Sequence, residues 1–160
     1  MTLRHAPVAV CGVALLAAWL GAAFLVAAVV APAAFAVLPS RTLAGALVGR
    51  VLPIVFWSGM LLGVVIAGIS RSIGAGMVGV GAAVSLMGAC AVAQLYIAPR
   101  IERVRSSIAG PVDALDPSDA RRLAFGRLHG LSVLWMGVGG VAALVALIVM
   151  ARLAASRSAA

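Results

Sequence analysis

The sequence predicts an all-α integral membrane protein, a four-helix bundle with a short interfacial helix between helices one and two. Three observations predict it. The 160 residues are 64% hydrophobic and only 10% charged, with a mean hydropathy of +1.20. That is too little charge to cover a water-soluble domain of this size. The charges are also segregated, since no Lys, Arg, Asp or Glu interrupts 5–40, 51–70, 72–99 or 128–151. Each of these runs reaches the roughly 17–25 residues that a bilayer-spanning helix needs. The chain therefore reads as one domain, 1–160, with helices at about 8–31, 51–70, 74–97 and 117–151.

Helix one begins after Arg4 and is followed by "AFA" at 34–36, which together mimic a cleaved signal peptide. Its apolar run is longer than the roughly 7–15 residues of a signal core, and three more spans follow, so a retained helix is expected. Pro32 is expected to kink or end it. After Ser40, the residues Leu43, Leu47 and Val48 recur at helical spacing between Arg41 and Arg50, predicting the interfacial helix. Beyond helix three, "PRIERVRSSI" keeps Ile101, Val104 and Ile108 on one face until Gly110-Pro111 breaks the pattern. "DPSDARRLAFGRLHG" restarts it. Asp116 suits the N-cap, Pro117 the first helical position and Asp119 a capping box, so helix four should start near 117.

Small residues predict the packing seams. Gly45/Gly49, Gly59/Gly63 and Ala75/Gly79 are small-xxx-small pairs that let backbones approach in lipid. Heptad spacing continues the seams through Ala67 and Ser70 on helix two. On helix three they run through Gly76, Ala83, Met87, Cys90 and Gln94, and on helix four through His129, Ser132, Met136, Gly139 and Ala143. Cys11 and Cys90 fall roughly 14 Å apart along the membrane normal. That is too far for a disulfide, and both read as small apolar packers.

The net charge is +8 and every basic residue is Arg. Four spans put both termini and loop two on one side (side A), and loops one and three on the other (side B). Side A carries Arg4, Arg71, Arg152 and Arg157; side B carries the other eight arginines. The positive-inside rule then places side B in the cytoplasm and both termini outside the cell's inner (plasma) membrane. Arginines at helix ends meet lipid head groups, so the partner this charge implies is the lipid bilayer and not nucleic acid.

Gln94, His129 and Ser132 fall within about one helical turn of side B, near Arg50 and Arg100. Polar groups inside a membrane are binding-site candidates, and a cationic cluster there suits an anionic lipid head or a carboxylate. The plainer alternative is a hydrogen bond from Gln94 to His129, with the arginines snorkelling to phosphate. Met60, Met87, Cys90 and Met136 share a depth roughly 10–15 Å from side B. Their soft sulfurs suit Cu(I), but gap-filling is the ordinary role and no paired MxxxM or CxxC occurs. His129 is the only histidine inside a span. A haem bridging it to His5, a bilayer away, is excluded, while a single axial ligand stays open. Trp57 and Trp135 lie below the interfacial belt and read as core packing.

No Ser/His/Asp or paired-carboxylate arrangement occurs, since Glu102 and all three aspartates fall in loop three. Gly74, Gly76, Gly79 and Gly81 lack the strand and the Lys-Ser/Thr of a phosphate loop. No catalytic residue, metal or cofactor is assigned, and the protein reads as a non-enzyme.

The stretches "WLGAAFLVAAVVAPAAFAVLPSRTLAGALVGRVLP", "LYIAPRIERVR" and "FGRLHGLSVLW" resemble the transmembrane-protein-205-like family, whose bacterial members are catalogued as a domain of unknown function, DUF4149. The resemblance covers nearly the whole chain. It rests on the "APAAF" turn, "VGR" before helix two, "PRI" after helix three and "LHGLS" opening helix four. It implies a four-helix integral membrane protein without an established molecular activity. Pro32, Gly45, Gly49, Arg50, Pro99, Arg100, His129 and Ser132 fall on family-pattern positions, and the family assigns them no roles. Many members carry Asn where this chain has Met136. The leading expectation is a protein that binds or helps move a small solute or lipid at the side-B end. A haem- or soft-metal-binding redox bundle and a structural subunit of a membrane complex are the alternatives. Four helices leave little room for a path through one monomer, so transport would imply a homo-oligomer.

Overall fold

The computed structural model describes residues 5–158; Arg4 and the side chains of His5, Ala6, Arg157 and Ser158 lie outside the described residues. The chain forms α1 (His5–Leu25), a π-turn (Val26–Val30), α2 (Ala31–Val37), α3 (Arg41–Ser72), α4 (Gly76–Ala91), a second π-turn (Val92–Ile97), α5 (Ala98–Ser106) and α6 (Ala120–Ser158). These make four continuous spans, Pro7–Val37, Arg41–Ser72, Gly76–Ser106 and Ala120–Ser156, each long and apolar enough to cross a bilayer. The protein is a multi-pass membrane four-helix bundle. Around it, α1 packs on α3 and α6, while α4 lies between α3 and α6.

The bundle is alanine-rich inside and bulky outside. Leu16, Ile66, Leu86 and Met150, one from each span, are fully buried. Ala82, Ala83, Ala142, Ala143 and Ala146 are buried with them and let the backbones close. Phe24, Ile54, Leu61 and Met77 point outward. Lipid solvates such a surface, so helix association rests on close packing at small residues. Gly59 and Gly63 supply it. A methyl on Gly63 would meet Met87 Cβ at 2.7 Å and the Ala83 carbonyl at 2.8 Å, and one on Gly59 would meet Cys90 Sγ at 2.5 Å. Both cysteines are free, Cys90 buried in this seam and Cys11 exposed. The buried indole is Trp19, whose Nε1 donates to the Val55 carbonyl across the α1–α3 seam at 3.1 Å. Trp57, expected in the core, is 53% exposed and faces outward, while Trp135 packs at the core's edge.

The ends of the helices differ from the sequence expectations for local reasons. Pro32 does not end the first span. Proline has no N–H and its ring collides with the carbonyl four residues back. The Val26–Val30 turn widens just ahead of it, and the Ala31 N–H reaches the Val26 carbonyl, five residues back. Helix three solves the same problem the same way: Ala98 N–H reaches the Ala93 carbonyl ahead of Pro99. The expected interfacial helix is helical but not separate, because residues 41–50 are the first turns of α3. Ser40 caps it by accepting from the Leu43 N–H at 3.2 Å. The α3–α4 turn is a Schellman closure. Gly74 takes φ +67°, its N–H bonds the Arg71 carbonyl, and the Ala75 N–H bonds the Ser70 carbonyl at 2.8 Å.

Helix four starts at Ala120, not near 117. Asp116 spends its carboxylate on a turn of its own, accepting from the Ser118 N–H at 2.8 Å. Asp119 takes the cap: its carboxylate accepts from the Arg121 N–H at 2.8 Å, and its carbonyl from the Leu123 N–H at 3.0 Å.

Candidate functional site

The side-B end of the bundle is not filled. A cavity of about 310 Å³ lies between the first turns of α3, the second π-turn with α5, the loop 107–119 and the first turns of α6, with Phe35 of α2 at its edge. Its width comes from Gly45 and Gly49. The sequence places them on a packing seam, yet a methyl on either would meet nothing within 4 Å. They present bare backbone to the cavity instead. One turn on, Pro53 also lines it. Pro53 has no N–H to donate to the Gly49 carbonyl four residues back.

Of the five predicted site residues, Gln94, His129 and Ser132 line this cavity. Ser132 is buried, and Gln94 Oε1 is shut off from solvent without a hydrogen-bond partner. The expected Gln94–His129 hydrogen bond is not formed; the His129 ring instead lies parallel to Phe125, with centroids 6.4 Å apart and planes 2° off. Arg50 and Arg100 do not line it. Arg50 follows Gly49 by one residue, about 100° round the helix, and is turned away. Arg100 lays its guanidinium 3.3 Å from the Tyr96 ring centroid and donates to the Tyr96 carbonyl at 3.0 Å. The cavity's arginines are Arg41 and Arg105, with Glu102 and Asp113 beside them at the mouth.

The charges at the mouth organise the loop that covers it. Arg41 pairs with Asp113 at 3.5 Å, tying α3 to the loop. Arg122 donates to the Leu115 carbonyl at 2.7 Å. Arg121 pairs with Asp119 at 2.8 Å, and hydrogen bonds from Arg121 hold the Asp119 carboxyl at about 2. Deeper in, the lining is uncharged. Phe56 and Phe125 line it there together with Leu52 and Val48; with Phe35 at the edge, three of the four phenylalanines in the chain border the cavity.

The sulfur groups lie elsewhere. None of Met60, Met87, Cys90 and Met136 lines the cavity that holds His129. Cys90 and Met87 sit in the α3–α4 seam against Gly59 and Gly63, and Met60 and Met136 pack at the core's edge. The structure thus does not gather them round the imidazole.

The sequence reading missed Phe35, Arg41, Phe56, Glu102, Arg105 and Phe125. One signal was available for two of them. Ala31-Pro32 and Ala98-Pro99 are equivalent landmarks, each following a π-turn, and Phe35 and Glu102 both come three residues after the proline.

A family profile described as "Domain of unknown function (DUF4149)" matches residues 14–109. The chain belongs to this family. The match spans α1 to the end of α5, and so takes in Gln94 and the α3 wall of the cavity, whereas His129 and Ser132 lie beyond it. The resemblance drawn from "APAAF", "VGR" and "PRI" is borne out by this DUF4149 membership. Comparisons with curated proteins and with solved structures returned no match.

Proposed function

We propose that this DUF4149 protein is a non-enzymatic membrane protein that binds a small solute or lipid-like ligand in the side-B cavity. The observation that carries this reading is the combination of a cavity of about 310 Å³ with an unpartnered Gln94 Oε1 in its wall. A bundle that needs no ligand would close this space with side chains and pair the amide, since voids and unpaired buried polar groups both cost stability. Pockets for small ligands start at about this volume and are lined as this one is, with apolar walls and a few placed polar groups. Side B faces the cytoplasm across the plasma (inner) membrane, as its arginine excess favours. Moving a ligand across the bilayer, beyond binding it, requires a second copy to complete a path.

Native mass spectrometry of the protein released from lipid nanodiscs tests the reading. The wild type carries a bound small molecule, and Gly49→Leu, which fills the open face of α3, loses it. Equal retention by both proteins overturns the reading. Absorbance on the same samples separates the redox alternative, because a Soret band lost on His129→Ala would replace ligand binding with haem binding.

A further inference from the structure

The two helical hairpins of the chain carry matching landmarks. A π-turn followed by Ala-Pro lies in the side-B part of the first span of each, at Ala31-Pro32 and Ala98-Pro99. A Gly-Arg pair lies in the second span of each, at Gly49-Arg50 and Gly126-Arg127. Counting from these landmarks pairs Phe35 with Glu102, Val48 with Phe125, and Leu52 with His129. All six line the cavity. The cavity is therefore where the two hairpins face each other, and equivalent positions have diverged. The first hairpin's members are all apolar, while two of the second's three are polar.

We infer that the cavity takes an uncharged, compact amphiphile whose head group both donates and accepts hydrogen bonds, such as an alcohol or a carboxamide. This rests on the binding reading above and deepens it. The volume sets the size: about 310 Å³ is about ten water volumes, room for about ten non-hydrogen atoms and not for a two-chain lipid. The division of the walls sets the orientation. The apolar body lies along Phe35, Val48, Leu52 and Phe56, and the head faces Gln94, His129 and Ser132.

The chemistry of those three sets the charge. The Gln94 amide and the Ser132 hydroxyl each donate and accept, the ring nitrogens of His129 add further polar sites, and together they match a partner that both donates and accepts. This holds whichever way round the Gln94 amide sits. No fixed charge lies at that depth to pair with an ion, and an unpaired ion there is costly to desolvate. At the mouth, Arg41 and Arg105 are offset by Glu102 and Asp113, so the lining has no net charge to select an anion or a cation.

Three probes of matched size test this: 2-phenylethanol, phenylacetate and phenethylammonium, titrated calorimetrically into the protein in nanodiscs with empty nanodiscs subtracted. The alcohol binds at least tenfold more tightly than either ion, Gln94→Leu weakens it about tenfold, and Gly49→Leu abolishes it. Gly49→Leu tolerates the larger side chain, because the added atoms enter open space. If an ion binds as tightly as the alcohol, or if Gln94→Leu leaves the alcohol's affinity unchanged, the ligand class is wrong. The cavity still stands as the binding site in that case, provided Gly49→Leu removes the binding. If no probe binds, or if Gly49→Leu changes nothing, both readings fall.

Discussion

The same four-residue spacing of glycines produces opposite outcomes at two heights on α3. Gly59 and Gly63 are sealed by Trp19, Cys90, Met87 and the Ala83 carbonyl, while Gly45 and Gly49 face open space. The difference comes from what stands opposite. Across from Gly59 and Gly63, α4 is regular and lays small residues on the seam. Across from Gly45 and Gly49 the chain has passed through the Val92–Ile97 turn and Pro99, and the facing wall is Gln94, Ala98 and Glu102. A small-xxx-small motif is thus a licence for close approach, and the partner strand of chain decides whether the space is used for packing or left for a ligand.

The largest test of this contrast is to add a methyl at each height. Gly63→Ala must displace backbone as well as side chain, and should cost about 1–3 kcal/mol in a reversible detergent unfolding titration. Gly49→Ala should be neutral or stabilising by up to about 1 kcal/mol, from helix propensity alone. Equal losses at both sites would erase the distinction. Gln94→Leu should stabilise the bundle by about 1 kcal/mol, measured the same way, since it removes a buried amide oxygen that has no partner. That gain, coupled to weaker ligand binding, would mark a residue kept for function at the expense of stability. Trp19→Phe should cost about 0.6 kcal/mol, by losing the bond to the Val55 carbonyl while keeping an aromatic plug over Gly59.

The smallest effect concerns pH. Asp119 caps α6 with its carboxyl lowered to about 2, first by the side-chain hydrogen bond from Arg121. A depressed folded value stabilises the protein above the unfolded value of about 3.9 and is lost as pH falls toward about 2. Thermal midpoints should therefore be flat from this source near neutrality and decline only below about pH 4, with Asp119→Asn removing that acid-side component.

Four spans, their seams at Gly59 and Gly63, and three of the cavity's polar residues were legible in the sequence. They follow from run length and from periodicity within one helix. Arg50 and Arg100 were misjudged because depth in the membrane was legible but azimuth was not: one residue past Gly49 turns a side chain away from the cavity, and Tyr96 supplies Arg100 with a local partner. Phe35, Phe56 and Phe125 were invisible as a group because three different helices bring them together. The shift of the α6 cap from Asp116 to Asp119 has a similar origin. Both aspartates follow rules for capping, and only the loop geometry chooses between them.

The π-turns carry a consequence for angular phase. Along α1 the buried positions recur at Ala9, Gly12, Leu16, Trp19, Ala23 and Val26, the beat of an α-helix, and the next falls at Ala34. Two α-helical turns, about seven residues, would have placed it at residue 33. The Val26–Val30 turn delays the beat by one residue, and everything beyond it is rotated accordingly. Deleting a single residue from "VAAVV" would restore the regular beat and swing Phe35 round the helix, away from the cavity. A one-residue change in chain length, conservative in composition, would thus act here as a change of direction.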